Sequence, residues 1–283
     1  MRITSISDVH LEIHPHMELP GGDVLLMAGD IFTAFALNPK KTDKESRKER
    51  NAVANFCQKQ LSKYDRVFYV LGNHEHYRFL FEETASAIRS FLAEHAPNVR
   101  LLDNEITEHE GVVIVGTTLW SRCGVGTADE WRINNAMNDF RLIRTQAAPV
   151  QPIPLLKPGD RRAFQPADAN RAHETALAFL KRETPPDKPV ILLTHHAPCF
   201  QSANGPDLGS AYLDDAYCAD LVDFLLERPN IRLAVHGHTH RSEDYYIGET
   251  RVLSNPRGYF PYQRLSLSFD PAAADTEWSF KNE

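Results

Sequence analysis

Short polar motifs in the sequence combine aspartate, asparagine and histidine at spacings that suit metal coordination. The candidate donors are Asp8, His10, Asp30, Asn73, His195, His238 and His240. Two donors that lie two positions apart in an extended chain can point to the same side and bind one cation together. A single motif of this kind is usually a solvated loop or a turn, because glycine and asparagine are ordinary turn formers. Repetition of such motifs along the chain is what favours a metal site.

The donor types also indicate which metals such a site would select. Imidazole and carboxylate donors without cysteine suit Mn²⁺, Fe²⁺ or Zn²⁺ better than Ca²⁺. Asp30 comes just beyond an apolar run, and a carboxylate there can bridge two ions with its two oxygens. His74 lies beside Asn73, where a histidine that is not a ligand is a ready proton donor.

Predicted strands precede all of these motifs and would position them. Residues 2–7 are the first predicted strand, and apolar runs cover residues 23–28, 67–71, 112–116, 189–194 and 231–235. Continuous runs of β-branched and aliphatic residues are typical of strands that are buried on both faces. Because open α/β sheets place ligands at the carboxyl ends of their strands, we expect the candidate donors to meet at one edge.

Helical patterns lie between the predicted strands. Thr42 followed by Glu45 fits a capping box, which predicts a helix over about residues 42–61. Further helices are predicted around residues 81–92, 169–184 and 218–225. The pattern weakens over residues 119–165, and so long a stretch without a clear period is typical of a functional lid or binding insertion. An irregular packed excursion without a functional role is the alternative.

The motifs resemble the pattern of the calcineurin-like metallophosphoesterase family. That pattern is Asp-x-His, Gly-Asp, Gly-Asn-His-Glu/Asp, a histidine after a later strand, and Gly-His-x-His. The chain matches it in order with Asp8 and His10, Gly29 and Asp30, residues 72–75, His195, and residues 237–240. The resemblance implies an α/β fold in which two mixed sheets form a sandwich flanked by helices, a four-layer αββα arrangement. We expect one such domain over residues 1–283, with the insertion inside it.

The resemblance also assigns the donors to two divalent metal ions. It implies that Asp8, His10 and His240 bind one ion, that Asn73, His195 and His238 bind the other, and that Asp30 bridges them. Mn²⁺ is the first choice of metal, with Fe²⁺ or Zn²⁺ as alternatives. In such a site an activated hydroxide attacks phosphorus in line, and His74 is expected to protonate the leaving oxygen or to stabilise the equatorial charge.

Some polar residues beside the motifs have a structural interpretation instead. His196 and His236 are expected to pack in the core or to orient the donors. Glu75 is likewise expected to orient or cap rather than to coordinate.

Three residues outside the motifs are candidates for binding the substrate, namely Asn138, Arg141 and Arg257. An arginine can bind phosphate through two parallel hydrogen bonds. For Arg257, as for Tyr259, a turn built on Pro256 and Gly258 is the alternative explanation.

The charge balance argues against a nucleic-acid polymer as the substrate. Acidic residues number 38 against 31 lysines and arginines, and the formal net charge is −7. The densest basic stretch, residues 40–50, holds six cations and three carboxylates, a net of only +3. Duplex binding through about six to ten phosphates needs a comparable set of clustered cations. We therefore expect a small phosphate ester, with a diester preferred to a monoester.

Other classes with the same motifs are less consistent with the sequence. Thr33 stands where protein Ser/Thr phosphatases carry aspartate and purple acid phosphatases carry a tyrosine ligand, so both branches are disfavoured. A nuclease of the superfamily would be expected to carry a basic stripe or accessory domains. A phosphomonoesterase, or a non-catalytic scaffold of the same fold, is the alternative to a diesterase.

Composition also bears on the compartment. The sequence has no stretch of about 18 apolar residues, so we expect no membrane span and no membrane partner. Residues 1–8 lack the features of a signal peptide. The four cysteines form no Cys-x-x-Cys pair, and reduced, buried thiols are the expected state. These features predict a cytoplasmic protein.

Overall fold

The computed structural model describes residues 1–124, 127–149, 157, 159–203 and 213–277. The strands in this part of the chain are β1 (Arg2–Ile6), β2 (Gly22–Ala28), β3 (Tyr64–Val70), β4 (Val99–Leu101), β5 (Glu105–His109), β6 (Val112–Gly116), β7 (Arg144–Thr145), β8 (Arg162–Ala163), β9 (Val190–Leu193), β10 (Ile231–His236), β11 (Glu243–Ile247), β12 (Thr250–Ser254) and β13 (Thr276–Glu277). The helices are α1 (Lys44–Lys59), α2 (Phe81–His95), α3 (Ala128–Ala136), α4 (Asp139–Leu142), α5 (Pro166–Glu183), α6 (Asp214–Tyr217) and α7 (Val222–Leu226).

Two mixed sheets form the centre of the molecule. The first has the order β13-β1-β2-β3-β4, in which β1 to β4 run parallel and β13 is antiparallel to β1. The second has the order β11-β12-β10-β9-β6-β5, in which β12, β10, β9 and β6 run parallel and the two outer strands are antiparallel. Most strands in both sheets run parallel to their neighbours, so the carboxyl ends of most strands in each sheet lie at the same edge.

Burial on both faces explains the continuous apolar runs. In β2, Val24 and Leu26 pack in a cluster between the two sheets, whereas Leu25 and Met27 face the other way, in a cluster shared with α1 and α2. A separate apolar cluster lies between the second sheet and the helices α5 and α7. The order of layers is therefore helix, sheet, sheet, helix. The predicted αββα sandwich with mixed sheets is confirmed.

Backbone hydrogen bonds join the two sheets at the edge where the predicted donors lie. The Ser7 N–H donates to Asn255 O over 3.1 Å, so the end of β1 meets the end of β12. The Asp8 N–H donates to Gly29 O over 3.0 Å and joins the loops after β1 and β2. The Gly237 N–H donates to His195 O over 2.9 Å and joins the loops after β10 and β9.

Two helix predictions differ from the structure. Asp43, and not Thr42, caps α1, because Asp43 Oδ1 accepts a hydrogen bond from the Ser46 N–H at 2.9 Å. The helix predicted over residues 218–225 is wrong in extent, since α7 begins only at Val222. Cys218 instead forms a bridge with Ala197, a pairing between distant segments that helical periodicity does not reveal.

The prediction that residues 119–165 are irregular is wrong for their described part, which we call the wall segment (119–124, 127–149, 157 and 159–165). It contains α3, α4 and the small sheet of β7 and β8. Its own apolar cluster includes Trp120, Ile133, Phe140 and Phe164. Residues 150–156 and 158 of the predicted insertion lie outside the described residues.

A buried ion pair attaches the wall segment to α5. The Arg162 guanidinium donates to both carboxylate oxygens of Asp168 over 2.6 and 2.8 Å, and only 5% of either side chain is exposed. Such a bidentate pair fixes orientation as well as distance. None of the helices that the structure describes is both long and apolar enough to cross a membrane.

Candidate metal centre

The seven predicted donors lie together in the loops that follow β1, β2, β3, β9 and β10. We call them the donor cluster: Asp8, His10, Asp30, Asn73, His195, His238 and His240. All except His240 are buried, and the His240 side chain is only 14% exposed. The sheet edges therefore bring together residues that are up to 232 positions apart in the sequence.

One half of the donor cluster consists of Asp8, His10 and His240. One donor atom from each lies within 4.8 Å of the other two. The Nε2 atoms of His10 and His240 are 3.2 Å apart, and His240 Nε2 is 3.3 Å from Asp8 Oδ1. Three donors at such separations can bind one cation.

The other half consists of Asp30, Asn73, His195 and His238. Donor atoms of Asp30, His195 and His238 lie within 4.8 Å of one another. His195 Nε2 is 3.0 Å from Asn73 Oδ1 and 3.5 Å from Asp30 Oδ1. The other oxygen of Asp30, Oδ2, is 3.8 Å from His10 Nε2, so this carboxylate stands between the two halves.

Hydrogen bonds on the far side of the rings determine which nitrogen of each histidine is protonated. The Nδ1 atoms of His10, His195 and His240 lie within 3.0 Å of Glu12 Oε1, Ala28 O and Gln263 Oε1 respectively. Gln263 Oε1 also accepts the Tyr259 N–H, which fixes the orientation of that amide. Carboxylate, carbonyl and amide oxygens only accept hydrogen bonds, so each Nδ1 is protonated, and the neutral rings of His10 and His195 turn an Nε2 lone pair to the centre.

The positions of the ring nitrogens show whether the donor cluster fits a cation. His10 Nε2 and His240 Nε2 face each other at 3.2 Å, so this contact requires a positive charge, either a proton on His240, whose pKa is raised by the Asp8 carboxylate against the effect of burial, or a bound cation. His238 Nε2 is buried and has no hydrogen-bond partner among the described residues. A buried polar atom without a partner is costly, and a metal ion removes that cost. The donors therefore fit divalent metal ions.

Burial and charge shift the pKa values of the donors in different directions. Burial lowers the pKa of His195 to about 4, and burial together with the nearby His74 lowers the pKa of His10 to about 4. Both rings are therefore neutral at neutral pH, as ligands must be. Burial and the neighbouring carboxylates of Glu75 and Asp8 raise the pKa of Asp30 well above its ordinary value. A cation at the centre would offset this repulsion between carboxylates.

The backbone of the donor cluster is strained. Five of the donors have left-handed backbone conformations: Asp8, His10, Asp30, His238 and His240, with φ between 49° and 70°. For a residue other than glycine this conformation costs roughly 1–2 kcal/mol. Such strain persists only where the surroundings fix it, and it concentrates at functional sites.

Two glycines beside the donors are required by the close approach of other atoms. A Cβ at Gly72 would lie 2.1 Å from Asp30 Oδ1, and a Cβ at Gly237 would lie 2.7 Å from Asp8 Oδ2. Any side chain at these positions would displace a donor carboxylate.

Glu75 holds the loop that carries Asp30. Its buried carboxylate accepts hydrogen bonds from the N–H groups of Asp30, Ile31 and Gly72 over 2.7–3.0 Å and from the Tyr69 hydroxyl. These contacts agree with the prediction that Glu75 orients the motif and does not coordinate.

His74 lines the cavity of about 220 Å³ beside the donors, and its side chain is 12% exposed. Its Nδ1 lies 3.0 Å from Glu12 Oε1, and its Nε2 lies 3.2 Å from the Tyr259 hydroxyl and 3.9 Å from Asp30 Oδ2. A donor atom of His74 also lies within 4.8 Å of donor atoms of His10 and Asp30. The hydrogen bond to Tyr259 directs Nε2 toward the cavity, which is the position that a proton donor needs.

Glu12 is a functional candidate that sequence reasoning missed. One oxygen, Oε1, is the acceptor for both His10 and His74, so a single carboxylate orients a predicted ligand and the predicted acid. Burial alone would raise the pKa of Glu12, yet hydrogen bonds from the two histidines hold it below its ordinary value. The extension of Asp-x-His to Asp-x-His-x-Glu is the sequence signal that could have indicated it.

Asp139 is a second residue that was missed, and it comes from the wall segment. Its Oδ1 accepts hydrogen bonds from Asn73 Nδ2 and from the Tyr77 hydroxyl, each over 2.7 Å. The Asn73 amide nitrogen is thereby held away from the donors, which turns Asn73 Oδ1 toward His195. No local pattern identifies this contact, since Asp139 is 66 positions from Asn73.

The three predicted substrate-binding residues are placed differently. Asn138 lines the cavity beside the donors. Arg141 is exposed and outside that lining, but its Nη2 donates to Asn138 Oδ1 over 2.8 Å. The prediction for Arg257 is wrong, because its buried guanidinium donates to the carbonyl oxygens of Val9, His14 and His16. These bonds use the side chain to fix the loop after β1.

The flanking histidines are packed as predicted. The His196 ring lies 4.1 Å from the His238 ring and 5.1 Å from Trp120. His236 Nε2 lies 3.0 Å from Ser202 Oγ, and its Nδ1 lies 3.0 Å from Gly237 O. Both residues are buried and support the loops without joining the donor groups.

Comparisons with known proteins agree with this geometry. A family model described as calcineurin-like phosphoesterase matches residues 1–242. A relative from Acanthamoeba polyphaga mimivirus, named uncharacterized protein L509, is 28% identical over 222 residues, which are 74% of this chain and 73% of that protein.

Solved structures with a similar fold include a phosphopantetheinyl hydrolase (PptH) from Mycobacterium tuberculosis. The match covers 92% of this chain and 93% of that chain, with a TM-score of 0.59 and 16% identity. A dimetal phosphatase from Danio rerio matches 90% of this chain and 86% of that chain, with a TM-score of 0.42 and 13% identity.

Proposed function

Because the chain belongs to the calcineurin-like phosphoesterase family, we propose that it hydrolyses a small phosphate ester, with a diester preferred, by means of two divalent metal ions. The observation that carries this proposal is the pair of donor groups that share Asp30. One group would hold an ion with Asp8, His10 and His240, and the other with Asn73, His195 and His238. Mn²⁺ is the proposed metal, and Fe²⁺ or Zn²⁺ would suit the same donors.

Two such ions, when bound, neutralise phosphate oxygens and activate water for attack on phosphorus. The residues of the chain supply the rest of the chemistry. Glu12 Oε1 accepts a hydrogen bond from the Nδ1–H of His74, so a protonated His74 ring presents its Nε2–H to the cavity. From there it donates that proton to the leaving oxygen.

Tyr259 assists His74 from the wall of the cavity. Burial raises the pKa of Tyr259, so its hydroxyl keeps its proton at neutral pH. At 3.2 Å from His74 Nε2, that hydroxyl holds the ring in place, and it can donate to a phosphate oxygen once substrate enters.

The size of the cavity supports a small ester. About 220 Å³ is below the usual range of about 300–1,000 Å³ for ligand pockets and suits a phosphate group with a compact substituent. The choice of a diester rests on His74 as an acid for an alkoxide leaving group. A phosphomonoesterase of the same fold is the second candidate, and a non-catalytic scaffold the third. We place the enzyme in the cytoplasm, consistent with four buried cysteines that are all free.

A panel of substrates under one Mn²⁺ condition tests the proposal. It comprises bis-nitrophenyl phosphate, nitrophenyl phosphate, a cyclic nucleotide, a phosphopantetheinyl ester and linear DNA. We expect the highest kcat/KM for a small diester. A large preference for the monoester would reject the diester, and efficient salt-sensitive cleavage of DNA would reject the small substrate. If the metal-loaded protein hydrolysed no substrate of the panel, the proposed activity would be rejected in favour of a non-catalytic scaffold.

A further inference from the structure

A second cavity, of about 780 Å³, lies beside the donor cluster on the other side of the segment that carries His74. Consecutive residues separate the two cavities, since Tyr77 lines the cavity at the donors and Arg78 lines the second one. The walls of the second cavity come from the turn Ala34–Leu37, from α2 and from the wall segment. We call it the arginine groove, after Arg78, Arg144 and Arg161, which line it.

The arginine groove is positively charged in an acidic protein. Its lining holds five cations, Lys40, Arg50, Arg78, Arg144 and Arg161, against the two carboxylates of Glu83 and Glu94, a formal net of +3. The chain as a whole carries −7. A concave surface of sign opposite to the rest of the molecule attracts small anions.

Three of these cations make no ion pair and no side-chain hydrogen bond within the part of the chain that the structure describes. Arg50 is engaged, because its guanidinium donates to the carbonyl oxygens of Asn38 and Lys41. Arg144 Nη1 donates to Arg141 O over 3.0 Å. The exposed side chains of Lys40, Arg78 and Arg161, by contrast, make neither an ion pair nor a hydrogen bond to any described residue. These three are available to a ligand.

Aromatic rings lie among the cations. Phe35, Phe79 and Phe91 line the groove, and each is only partly buried. The guanidinium carbon of Arg78 lies 5.9 Å from the centre of the Phe35 ring, a cation–π distance. Lys41 Nζ lies 5.0 Å from the centre of the same ring, and the His95 ring lies 4.2 Å from the Phe91 ring. A groove that combines aromatic rings with cations suits a ligand that is both aromatic and anionic.

The backbone fixes Arg78 at a cost. Its φ is 59°, a left-handed conformation that costs roughly 1–2 kcal/mol in a residue with a side chain. The Arg78 N–H donates to Leu142 O over 2.9 Å, and the next residue, Phe79, accepts the Arg144 N–H over 3.1 Å. The wall segment thus holds a strained, exposed arginine in the groove, and strain that is fixed from outside is typical of binding sites.

We propose that the arginine groove binds a nucleoside monophosphate. The base stacks on Phe35 or Phe91, and the phosphate accepts hydrogen bonds from Arg78 with Arg161 or Lys40. This site is separate from the donor cluster, and binding to it requires no hydrolysis by the protein.

Calorimetric titration of the metal-loaded full chain with AMP tests this site. We expect AMP to bind more tightly than adenosine, which lacks the phosphate, and than ribose 5-phosphate, which lacks the base. Arg78→Ala and Phe35→Ala should each weaken AMP binding by about tenfold. The control Arg66→Ala changes an exposed arginine of β3 outside the groove and should leave the affinity for AMP unchanged.

Hydrolysis of bis-nitrophenyl phosphate is measured on the same variants, so that failure of this inference is separate from failure of the proposed activity. We expect the two groove variants to retain the kcat of the wild type. Absence of AMP binding at millimolar concentration would overturn the inference. So would an affinity that survives both substitutions but is lost in Asn73→Ala, because AMP would then occupy the metal centre.

Discussion

The donor cluster and the wall segment face each other across the cavity, but they are built in different ways. The donors stand at the ends of parallel strands in two sheets, are buried, and have largely left-handed backbones. The wall segment has two short helices and a two-stranded sheet around its own apolar cluster. It is attached to α5 by the bidentate ion pair of Arg162 with Asp168 and by hydrogen bonds from the Cys123 N–H to Asn170 Oδ1 and between His173 Nδ1 and Trp120 O.

The donor cluster would therefore supply the chemistry of the site, whereas the wall segment shapes the cavity beside it. Strand ends hold donors rigidly, because each loop is fixed by hydrogen bonds to its neighbours. The apolar cluster of the wall segment is shared with Tyr77, Ala169 and Ala216 and contains none of the central strands. Segments outside the central strands are where binding residues are often found. Asp139 is the exception, since it reaches from the wall segment to a donor.

The largest loss of activity is expected from changes to the donor cluster and its metals. Removing the metals with a chelator should abolish hydrolysis, and Mn²⁺ should restore it with about two ions per chain by elemental analysis. Asp30→Ala should be the most damaging single change of a ligand, because both donor groups lose an oxygen. Asp65→Ala, at an exposed position on β3, is the matched control. Full activity in protein verified as metal-free would refute the two-metal site.

A smaller loss is expected from His74→Ala, which removes the acid and leaves the donors. Turnover should slow by roughly 10²–10⁴, the usual range for a general acid, with metal content unchanged. The loss should shrink for nitrophenyl esters, whose leaving groups need little protonation. An equal loss for nitrophenyl and alkyl esters would reassign His74 to stabilising charge.

Glu12→Gln tests whether one carboxylate serves both histidines. An amide oxygen can still accept a hydrogen bond but carries no charge, so we expect about a 10–100-fold loss of activity. The loss should be greater for alkyl than for nitrophenyl esters, because a protonated His74 loses its counter-charge. Glu18→Gln, at an exposed glutamate paired with Lys63, is the control. A loss that is independent of the leaving group would limit Glu12 to a structural role.

Asp139→Asn tests the contact between the wall segment and the donor Asn73. The amide that replaces the carboxylate carries no charge and can turn its NH2 group toward Asn73, which weakens the contact that orients the Asn73 amide, so we expect the affinity for one of the two metals to fall about tenfold in a metal titration. Asp129→Asn changes an exposed aspartate of α3 that contacts Arg132 and should have no effect. Unchanged metal affinity in Asp139→Asn would mean that the wall segment does not act on the donors.

The smallest effect is expected from Arg141→Ala on the exposed side of the wall segment. Its contact with Asn138 is one hydrogen bond at the surface, so KM should rise about two- to fivefold with metal content constant. Steady-state kinetics with the best substrate of the panel measures this change. No change in KM or in substrate preference would leave Arg141 as a structural residue.

The sequence by itself predicted the central strands and the candidate donors, and the resemblance of its motifs to a family implied the fold class. Apolar runs that are buried on both faces predict parallel strands, and a polar motif after each run can be read without coordinates. For that reason Asp8, Asp30 and His195 could be named in advance, and the structure brings them to one edge. Local patterns carry this information because strand and turn preferences act over a few residues.

Only the tertiary structure decided how the donors are supported. Glu12 meets His74 across 62 positions, and Asp139 meets Asn73 across 66. Arg257 donates hydrogen bonds to carbonyl oxygens of residues up to 248 positions away. The sequence had predicted that Arg257 contacts the substrate. Hydrogen bonds between distant segments depend on how the two sheets and the wall segment pack against one another. No periodicity or residue spacing in the sequence specifies that packing.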